Sequence, residues 1–549
     1  MVTAVRAVPT QRRVRPDEHS PLLAREDEDE NCVNDMSGGL GQSEVTVVVK
    51  PGMADKMHLF ICSAGIGIFL MSIDQLLTVS SYAKIGSELN ALNNTSWIAT
   101  SYYLTLTSFQ PLYGKLSDIF GRKECLLFAY VVFGLGCLGC GLARDIVQLC
   151  AARAVAGIGG GGMNAVVAII LTDLVPLRDR GIWQGYMNLI GSVGTSIGGP
   201  LGGFLADTVG WRWSFIVQGP ICVVAFLAVY FVLDIEHKST GNWLTKLKRV
   251  DFLGALTLVL AVTALLVGFD CGSNLGWGHA STIAALFAAP AIFAIFVLVE
   301  VRLASEPFAP GRVIFHPGLP ACYAANFCSM GAYTAVLFFA PLFFQAVLSA
   351  SATLSGAYLV PAMVGTVVAS VGSGVIMRST ERYYQLTVWS FALALFSVVP
   401  LILGAWYGIA TIEMSGLALQ ALGAGAGVTT TLVALVANAE PADMAVAVAC
   451  SYLFRSLGSS VAVSLSSAAL QQVLRAQLAA RFPDGDEARR VEEQVRRSLE
   501  YIGRLAPRQA EQVRRSYQVA TVGAFAPALA LMAAALVASF WIKEKALKK

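Results

Sequence analysis

The stretch GKLSDIFGRK, residues 114–123, concentrates charged residues between two long apolar runs. Its spacing, G-x-x-x-D-x-x-G-R-K, gives the loop two glycines that permit a tight turn. It also contains an aspartate that can pair with a nearby cation in one conformation and release it in another. A simple solvated basic loop is the alternative, which the regular spacing disfavours. We therefore predict that Gly114, Asp118, Gly121, Arg122 and Lys123 form one motif whose ion pairing changes with conformation.

The composition points to a membrane protein. Hydrophobic residues make up 56 % of the 549 positions, and charged residues make up only 14 %. Soluble domains carry about 25 % charged residues. Apolar runs of about 20 residues recur along the chain, and each is long enough to cross a hydrocarbon core of about 30 Å as a helix. The net charge of +3 suggests no nucleic-acid partner. We therefore expect an all-α protein with many spans, surrounded by a lipid bilayer.

The apolar runs number fourteen and follow a six, two, six arrangement. The predicted spans lie near residues 57–81, 96–116, 124–143, 148–174, 182–207, 213–234, 251–270, 281–301, 318–347, 354–377, 385–406, 411–437, 444–470 and 518–542. Polar stretches between the spans divide the chain into regions. These are a disordered cytosolic tail at 1–54, a six-helix half at 55–235, a cytosolic linker with two accessory helices at 236–304, and a second six-helix half at 305–549 that includes a lumenal loop at 471–517.

Lysine and arginine in the short loops set the predicted orientation, because cytosolic loops are richer in these residues. Basic residues follow the second, fourth, sixth and tenth spans and also end the chain. This distribution places both termini in the cytosol. The loop at 471–517 is an exception, with many arginines on the opposite side. It is long and carries nearly as many acids, so it weakens the assignment less than a short loop would.

Two short patterns concern targeting and modification. Glu18, Leu22 and Leu23 match an acidic dileucine sorting signal, although so short a pattern also arises by chance. Asn93 and Asn94 each begin an N-x-S/T sequon on the lumenal side. They lie so near the membrane that the sequence leaves their glycosylation open.

Proton exchange inside the membrane falls to carboxylates, because all five histidines lie in tails, loops or span ends and no lysine lies in the middle of a span. Asp74 in the first span is the first candidate, and its cost in lipid implies that it faces a cavity. Glu413, near the start of the twelfth span, is the second. The hypothesis is one carboxylate that holds either a proton or a cationic substrate, but not both.

Other polar residues within the spans are candidates for the transport site. Arg153 is either a functional residue or part of a structural pair near the interface, and the sequence favours neither. Arg455, deep in the thirteenth span, either pairs with a carboxylate or binds a substrate carboxylate. Gln110, Asn326 and Tyr333 are candidates to line the cavity, although hydrogen bonding between helices is the commoner role for such residues.

The sequence carries no pattern of an enzyme. The glycine run at 157–162 contains the spacing G-x-G-x-x-G, but it follows no soluble strand of a βαβ unit, so nucleotide binding is rejected. No nucleophile–base set and no metal-ligand cluster is found in the sequence. We therefore expect neither catalysis nor a cofactor.

Several motifs together resemble the major facilitator superfamily. The loop at 114–123 is similar to its signature cytoplasmic gate, and a degenerate copy at 374–382 follows the tenth span, which indicates an internal repeat. The fifth span is similar to the motif of the superfamily's antiporters, with Gly194, Gly198, Pro200 and Gly203. With fourteen spans, the chain resembles the drug:proton antiporter branch. The segments around Asp74 and at 80–88, 94–100, 108–114, 429–435 and 454–458 look like the fungal vacuolar basic amino acid transporters.

This resemblance implies two pseudo-symmetric six-helix halves around a central cavity, with two accessory helices outside the repeat. It also implies a monomeric antiporter that exchanges protons for lysine, arginine or histidine and carries them from the cytosol into the vacuole. A plasma-membrane exporter of drugs or other toxic compounds is the main alternative, and it shares every motif except the first-half similarity and the dileucine. A transporter-like nutrient sensor is a further one, which the intact Asp74 and gate motif argue against.

Overall fold

The computed structural model describes most of the chain after the N-terminal tail. The described residues are 48–49, 57–174, 180–233, 235–236, 252–303, 311–440, 443–482 and 486–545. The sorting signal of Glu18, Leu22 and Leu23 lies outside these residues, and so does the side chain of Asp118. The chain is nearly all helical. A single antiparallel pair of two-residue strands, β1 (Val48–Val49) and β2 (Ile235–Glu236), is found among the described residues.

Six long helices form the first part of the bundle. They are α1 (Met57–Glu88), α2 (Ser96–Phe120), α3 (Arg122–Leu142), α4 (Ile146–Leu174), α5 (Arg180–Thr208) and α6 (Trp211–Val232, composed of Trp211–Ile216 and Gln218–Val232). The two accessory helices are α7 (Phe252–Asn274) and α8 (Ala280–Leu298, continued by a π-helix at Val299–Leu303).

Six more long helices complete the bundle. They are α9 (Leu319–Ala346), α10 (Ala352–Thr380, composed of Ala352–Ala357 and Val360–Thr380), α11 (Tyr384–Tyr407, composed of Tyr384–Phe396 and Val398–Tyr407), α12 (Ala410–Asn438), α13 (Met444–Arg481) and α14 (Pro507–Ser539). The short elements are the helices Gly311–Ile314 and Asp486–Arg497 and the 3₁₀ turns Leu92–Asn94 and Leu499–Arg504.

The long helices confirm the predicted membrane architecture. Within the described residues, thirteen of them are long and apolar enough to cross a membrane by length and composition. The one long helix of the bundle outside these thirteen is α2. It has 25 residues, which span roughly 37 Å as a helix. It carries more serine, threonine and tyrosine than the others because it is packed among helices rather than exposed to lipid. Fourteen spans, in a six, two, six order, agree with this structure.

The turn between α2 and α3 explains the second glycine of the gate motif, Gly121. Gly121 alone separates the two helices, and its φ angle is +103°. A side chain is rarely tolerated in this backbone conformation. The sequence therefore reverses direction here within a single residue, as the predicted tight turn requires.

Helices pack within two groups, which we call the N-terminal group (α1–α6) and the C-terminal group (α9–α14). In the first, α1 packs along α5, and α4 lies between α2 and α3. In the second, α9 packs on α13 and α14, and α12 packs on α10 and α11. The accessory helices α7 and α8 pack on each other, and α7 also contacts α13 and α2. The cores of both groups lie along these helix contacts.

The two groups meet at one end of the bundle. We call it the distal end, where α1 ends and α2 begins, and the basic residues of the sequence predict that it is not cytosolic. There Lys84 binds Asp207 at 3.1 Å, and Asp207 accepts hydrogen bonds of 2.7 Å from the backbone and side chain of Thr353. The rings of Tyr82 and Phe338 stack with their centroids 4.1 Å apart. These contacts join α1 and α5 to α9 and α10.

The segment at 482–506, which we call the distal segment, is shorter than the loop predicted at 471–517. Helix α13 continues to Arg481 and α14 already begins at Pro507. The pattern of charged and apolar residues between the spans predicts amphipathic helix with a break at 504–507. Apolar side chains between the charges, including Leu474, Leu478 and Val513, are buried against one another and extend both helices.

Candidate functional site

Asp74 and Arg153 form an ion pair inside the N-terminal group. The Nη1 atom of Arg153 on α4 lies 2.6 Å from Oδ2 of Asp74 on α1, and the two residues are 1 % and 0 % exposed. Gln218 on α6 donates a 3.2 Å hydrogen bond to the other carboxylate oxygen. Arg153 also donates from Nε to the backbone oxygen of Ile98 at 3.3 Å. The carboxylate therefore has a charged partner and a neutral donor, as a buried ion needs.

Aromatic rings enclose the guanidinium of Arg153. Its central carbon lies 4.3 Å from the ring centroid of Tyr102 and 5.8 Å from that of Phe215. Such cation–π contacts stabilise a cation by about 0.5–2 kcal/mol. Cys137 donates from Sγ to Gln218 Oε1 at 3.6 Å, which orients the amide toward Asp74. The pair is thus held by residues from α1, α2, α3, α4 and α6.

The sequence leaves the role of Arg153 open and predicts that Asp74 faces a cavity. In this conformation the carboxyl group is instead enclosed by protein and paired with Arg153. The two candidates are therefore one unit. Because the positive charge of Arg153 is balanced by Asp74, a proton on this carboxylate removes the partner of a buried cation.

Glu413 has a different environment in the C-terminal group. It is 0 % exposed, and within the described part of the chain its carboxyl group has no charged partner, only the backbone of Ala405 at the margin of hydrogen-bond geometry. The side chain lies against α11, where a Cβ placed on Gly404 would be 2.9 Å from Oε2 of Glu413. An ionised carboxylate without a partner is strongly disfavoured at such a site. The surroundings of Glu413 therefore suit the neutral acid.

Asn326 and Tyr333 make hydrogen bonds between helices of the C-terminal group. Asn326 on α9 donates to Ser451 Oγ at 3.0 Å and accepts from Thr431 Oγ1 at 2.9 Å. The hydroxyl of Tyr333 lies 3.2 Å from that of Thr366. These are the roles that sequence reasoning gave as the commoner ones for polar residues in spans. Both side chains help to join α9, α10, α12 and α13.

Gln110 and Arg455 lack part of the hydrogen bonding that their side chains can make. The carbonyl oxygen of the Gln110 side chain on α2 and Nε of Arg455 on α13 are both buried without a partner among the described residues. The guanidinium carbon of Arg455 lies 5.3 Å from the ring centroid of Tyr452. These two groups retain capacity to bind a ligand.

The gate residues tie the turn between α2 and α3 to neighbouring helices. Arg122 donates from Nε to Asp173 Oδ2 on α4 at 3.0 Å. Lys123 donates to the backbone oxygen of Tyr230 on α6 at 2.7 Å. The contacts of Asp118, the acid of the motif, lie outside the described residues. Asp173, at the end of α4, therefore connects the predicted gate motif to that helix.

The antiporter motif of α5 makes close contacts on two sides. Cβ atoms on Gly194 and Gly198 would each lie 2.7 Å from a backbone oxygen of α1, that of Phe69 and that of Ile73. A Cβ on Gly203 would lie 2.2 Å from the backbone oxygen of Ala352 on α10. Pro200 lies inside α5 between these contacts. The motif thus brings α5 against α1, which carries Asp74, and against the C-terminal group.

Sequence reasoning missed two residues of the buried site. Gln218 and Tyr102 contact Asp74 and Arg153 directly, but one polar residue and one tyrosine within apolar helices resemble many others in the chain. Only the packing of α2 and α6 beside α1 and α4 distinguishes them.

Comparison with known proteins agrees with this architecture. Residues 64–463 match the profile of the Major Facilitator Superfamily. The "Vacuolar membrane amino acid uptake transporter fnx2" of Schizosaccharomyces pombe is 38 % identical over 467 residues, covering 83 % of this chain and 78 % of that protein. "Multidrug resistance protein fnx1" of the same organism is 36 % identical over 480 residues, covering 87 % and 90 %. "Vacuolar basic amino acid transporter 2" of Saccharomyces cerevisiae is 30 % identical over 464 residues, covering 81 % and 96 %.

A solved structure gives independent support for the fold. The inward-facing, unoccupied structure of a bacterial homolog of the human lysosomal transporter Spinster aligns with a TM-score of 0.57 at 15 % identity. The alignment covers 90 % of this chain and 98 % of that chain. With the helical order, the gate turn and the match over residues 64–463, these findings lead to one conclusion. The chain is a multi-pass membrane transporter that belongs to the Major Facilitator Superfamily.

Proposed function

We propose that this transporter exchanges protons for basic amino acids and moves lysine, arginine or histidine from the cytosol into the vacuole. The observation that carries the proposal is the buried pair of Asp74 and Arg153, whose neutralisation by a proton changes the charge balance of the N-terminal group. Relatives named as a vacuolar amino acid uptake transporter and a vacuolar basic amino acid transporter support the substrate and the membrane.

The pair couples proton binding to a conformational change in the following way. In the present conformation Asp74 is paired with Arg153 and accepts a hydrogen bond from Gln218. A proton on Asp74 leaves the Arg153 guanidinium without its counter-charge, and loss of one partner of a buried pair costs about 3–5 kcal/mol. Protonation therefore favours a conformation in which Arg153 is rearranged. A cationic substrate and a proton both neutralise the same carboxylate, so they occupy the site in turn.

The driving force is sufficient for accumulation in an acidic compartment. Exchange of one proton for one monovalent cation moves no net charge, so only the pH difference drives it. Two pH units supply about 2.7 kcal/mol, which supports a roughly hundredfold concentration ratio. An acidic vacuole can be loaded with arginine on this basis.

We infer that contacts at the two ends of the bundle control which end opens during the exchange. Arg122 bound to Asp173 and Lys123 bound to the Tyr230 carbonyl hold the cytosolic turn of α2 and α3 against α4 and α6. At the opposite end, Lys84, Asp207 and Thr353 hold the two groups together. The first set lies within the N-terminal group and the second joins the two groups, so alternating access requires the distal contacts to break when the groups close at the cytosolic end.

The test is uptake of radiolabelled arginine into vesicles that contain the purified protein and have an acidic interior. We expect uptake above the external concentration, and its loss when a protonophore removes the pH gradient. A membrane potential imposed without a pH gradient should not restore it. Arginine uptake that ignores the pH gradient would overturn the antiport mechanism.

Export of toxic compounds is the second candidate, and the similarity to "Multidrug resistance protein fnx1" favours it. The same vesicles distinguish the two. Under the proposal, lysine and histidine compete with labelled arginine, whereas hydrophobic drug cations do not. Uptake of drug cations with no uptake of arginine would favour the exporter.

A further inference from the structure

Arg455 is a cation of the C-terminal group that has no acidic partner. Where the structure describes the side chains, no aspartate or glutamate lies within ion-pair distance of it, whereas Arg153, the other arginine deep in a span, is paired with Asp74. Tyr452 makes a side-chain hydrogen bond to the guanidinium and places its ring centroid 5.3 Å from it, whereas the buried Nε donates no hydrogen bond among the described residues. Arginine does not lose its charge at any physiological pH. A positive charge with unused donors is therefore present within a span.

The position of Arg455 follows from the register between α9 and α13. Asn326 on α9 is bonded to Ser451 on α13, and Thr334 on α9 lies 2.9 Å from the Ser459 hydroxyl on α13. Arg455 lies halfway between Ser451 and Ser459 and on the same face of α13, so it is level with the middle of this polar contact. Its side chain is partly exposed there.

The surroundings are polar and closely packed, which suits a defined ligand position. A Cβ on Gly458 would lie 2.1 Å from the backbone oxygen of Phe327, so α9 and α13 are in direct backbone contact one turn beyond Arg455. On the opposite face of α13, Ser464 lies 3.3 Å from Thr100 of α2. Helix α13, which belongs to the C-terminal group, therefore also contacts the N-terminal group. Arg455 lies on this connecting helix.

We propose that Arg455 binds the α-carboxylate of the transported amino acid. Guanidinium and carboxylate form two parallel hydrogen bonds, and this pairing is among the strongest in proteins. The positive charge of Arg455 repels the cationic side chain of a basic amino acid, which orients that side chain away from Arg455. The proposal rests on the proposed transport of amino acids and adds that a free carboxylate is required for recognition.

The experiment is a thermal-unfolding measurement on the full-length purified protein with three ligands of similar shape. Arginine has a carboxylate and a cationic side chain, citrulline has the carboxylate and a neutral side chain, and agmatine has the cation without the carboxylate. We expect arginine to raise the melting temperature and agmatine to require at least about tenfold higher concentration for the same shift, since a hydrogen bond to a charged group contributes enough for a 10- to 100-fold difference.

The variants locate the effect. Arg455→Gln should lose about 10- to 100-fold in arginine affinity and respond equally to arginine and agmatine. Arg455→Lys, which keeps the charge without the two-pronged geometry, should lie between them. Arg475→Gln on the same helix, near the distal end, is the matched control and should bind as the wild type does. If Arg455→Gln fails to fold, Arg455→Lys and the three ligands on the wild type still decide the question.

The outcomes separate the two proposals. Citrulline as effective as arginine would contradict selection for basic side chains and leave the role of Arg455 intact. Agmatine as effective as arginine, or full arginine affinity in Arg455→Gln, would overturn carboxylate recognition and leave transport of cations intact. No shift with any carboxylate-bearing ligand would overturn the role of Arg455 as well.

Discussion

Asp74 and Glu413 are two buried carboxyl groups with opposite surroundings. Asp74 contacts a guanidinium and an amide donor, whereas Glu413 has no charged partner among the described residues and only the backbone of Ala405 near its carboxyl group. A charge is stable at the first position and costly at the second. The two residues are therefore expected to respond differently to the same chemical change, from acid to amide.

The change Asp74→Asn should abolish proton-coupled arginine exchange. The amide cannot carry a proton to and from the site. Like the protonated acid, it leaves Arg153 without its counter-charge, so the amount of variant in the membrane is measured beside its exchange. Uptake of labelled arginine into acidified vesicles measures the effect. Glu511→Gln, which alters an exposed carboxylate that pairs with Arg515 on the same helix, is the control and should retain exchange. Full exchange by Asp74→Asn would remove this residue from the mechanism.

Glu413→Gln should change the free energy of unfolding by less than about 1 kcal/mol, because a glutamine has the shape of the neutral acid and leaves no new charge. Arg153→Gln should lower it by about 3–5 kcal/mol, because it leaves the Asp74 carboxylate buried without its counter-charge. Denaturant-induced unfolding of the purified variants measures both. A large loss in Glu413→Gln would show that Glu413 is ionised and bound to a partner.

At the level of helices, the contact between α5 and α10 determines how closely the two groups approach at the distal end. Gly203 lies against the backbone of Ala352, and Gly199 lies against Gly356. The absence of side chains lets the helix backbones touch, as small residues do in membrane helix pairs. The distal contacts of Lys84, Asp207 and Thr353 form around this crossing.

Gly203→Val should prevent full distal closure, because the new side chain overlaps the backbone of Ala352 and cannot move it aside. Gly374→Val is the control, since a Cβ at Gly374 has no neighbour within 4 Å. Spin labels at Val209 and Tyr407, exposed residues near the distal ends of α5 and α11, report the distance between the groups. We expect a longer distance only in Gly203→Val. An unchanged distance would contradict the role of this crossing.

The distal segment joins three parts of the molecule. Arg496 donates to Gln471 on α13 and to Asn274 at the end of α7, each at 3.0 Å. The Leu499 amide donates to Ser87 on α1 at 2.9 Å. Burial lowers the pKa of the Arg496 guanidinium, as does Arg475, while Glu492 at 3.9 Å offsets this effect. An accessory helix is thereby connected to both groups at the distal end.

Arg496→Gln should lower the melting temperature and lengthen the distance between the same two spin labels, because it breaks the link to α7 and α13. Arg497→Gln is the matched control. Its side chain is half-exposed and pairs only with Glu493 on the same helix among the described residues, an interaction that stabilises by a few tenths of a kcal/mol. Equal behaviour of the two variants would show that the distal segment does not hold the distal end closed.

For the whole molecule, the sequence predicts the architecture well. Each span must present apolar side chains and satisfy its own backbone hydrogen bonds in lipid, so it is visible as an apolar run. The exceptions have local causes. The ends of α13 and α14 alternate charged and apolar residues, a pattern that predicts amphipathic helix, but only the structure shows that they continue the two spans and pack on each other. The pairing of Asp74 with Arg153, 79 positions apart, depends on how α1 and α4 pack. The cost of burying a charge identifies each residue as a candidate, but it does not show that the two pair with each other.

The same limit applies to Arg455 and Glu413. The sequence identifies both as ionisable residues that are costly to bury in a span. Only the folded bundle shows that, unlike Asp74 and Arg153, neither has a described partner of opposite charge. Helix order and gate motif therefore follow from the sequence, whereas the charge balance of the site follows only from the structure. That balance is the basis of the proposed exchange of a proton for a cation.

The most direct test of this exchange is proton release when arginine is added to the purified protein in acidic, weakly buffered solution, in which the protonated form of the exchange cycle is populated. The account predicts that arginine binding releases protons, about one for each site filled, if one carboxylate holds one or the other. It predicts no release from Asp74→Asn. Arginine binding without proton release, or the same release from Asp74→Asn, would contradict the account.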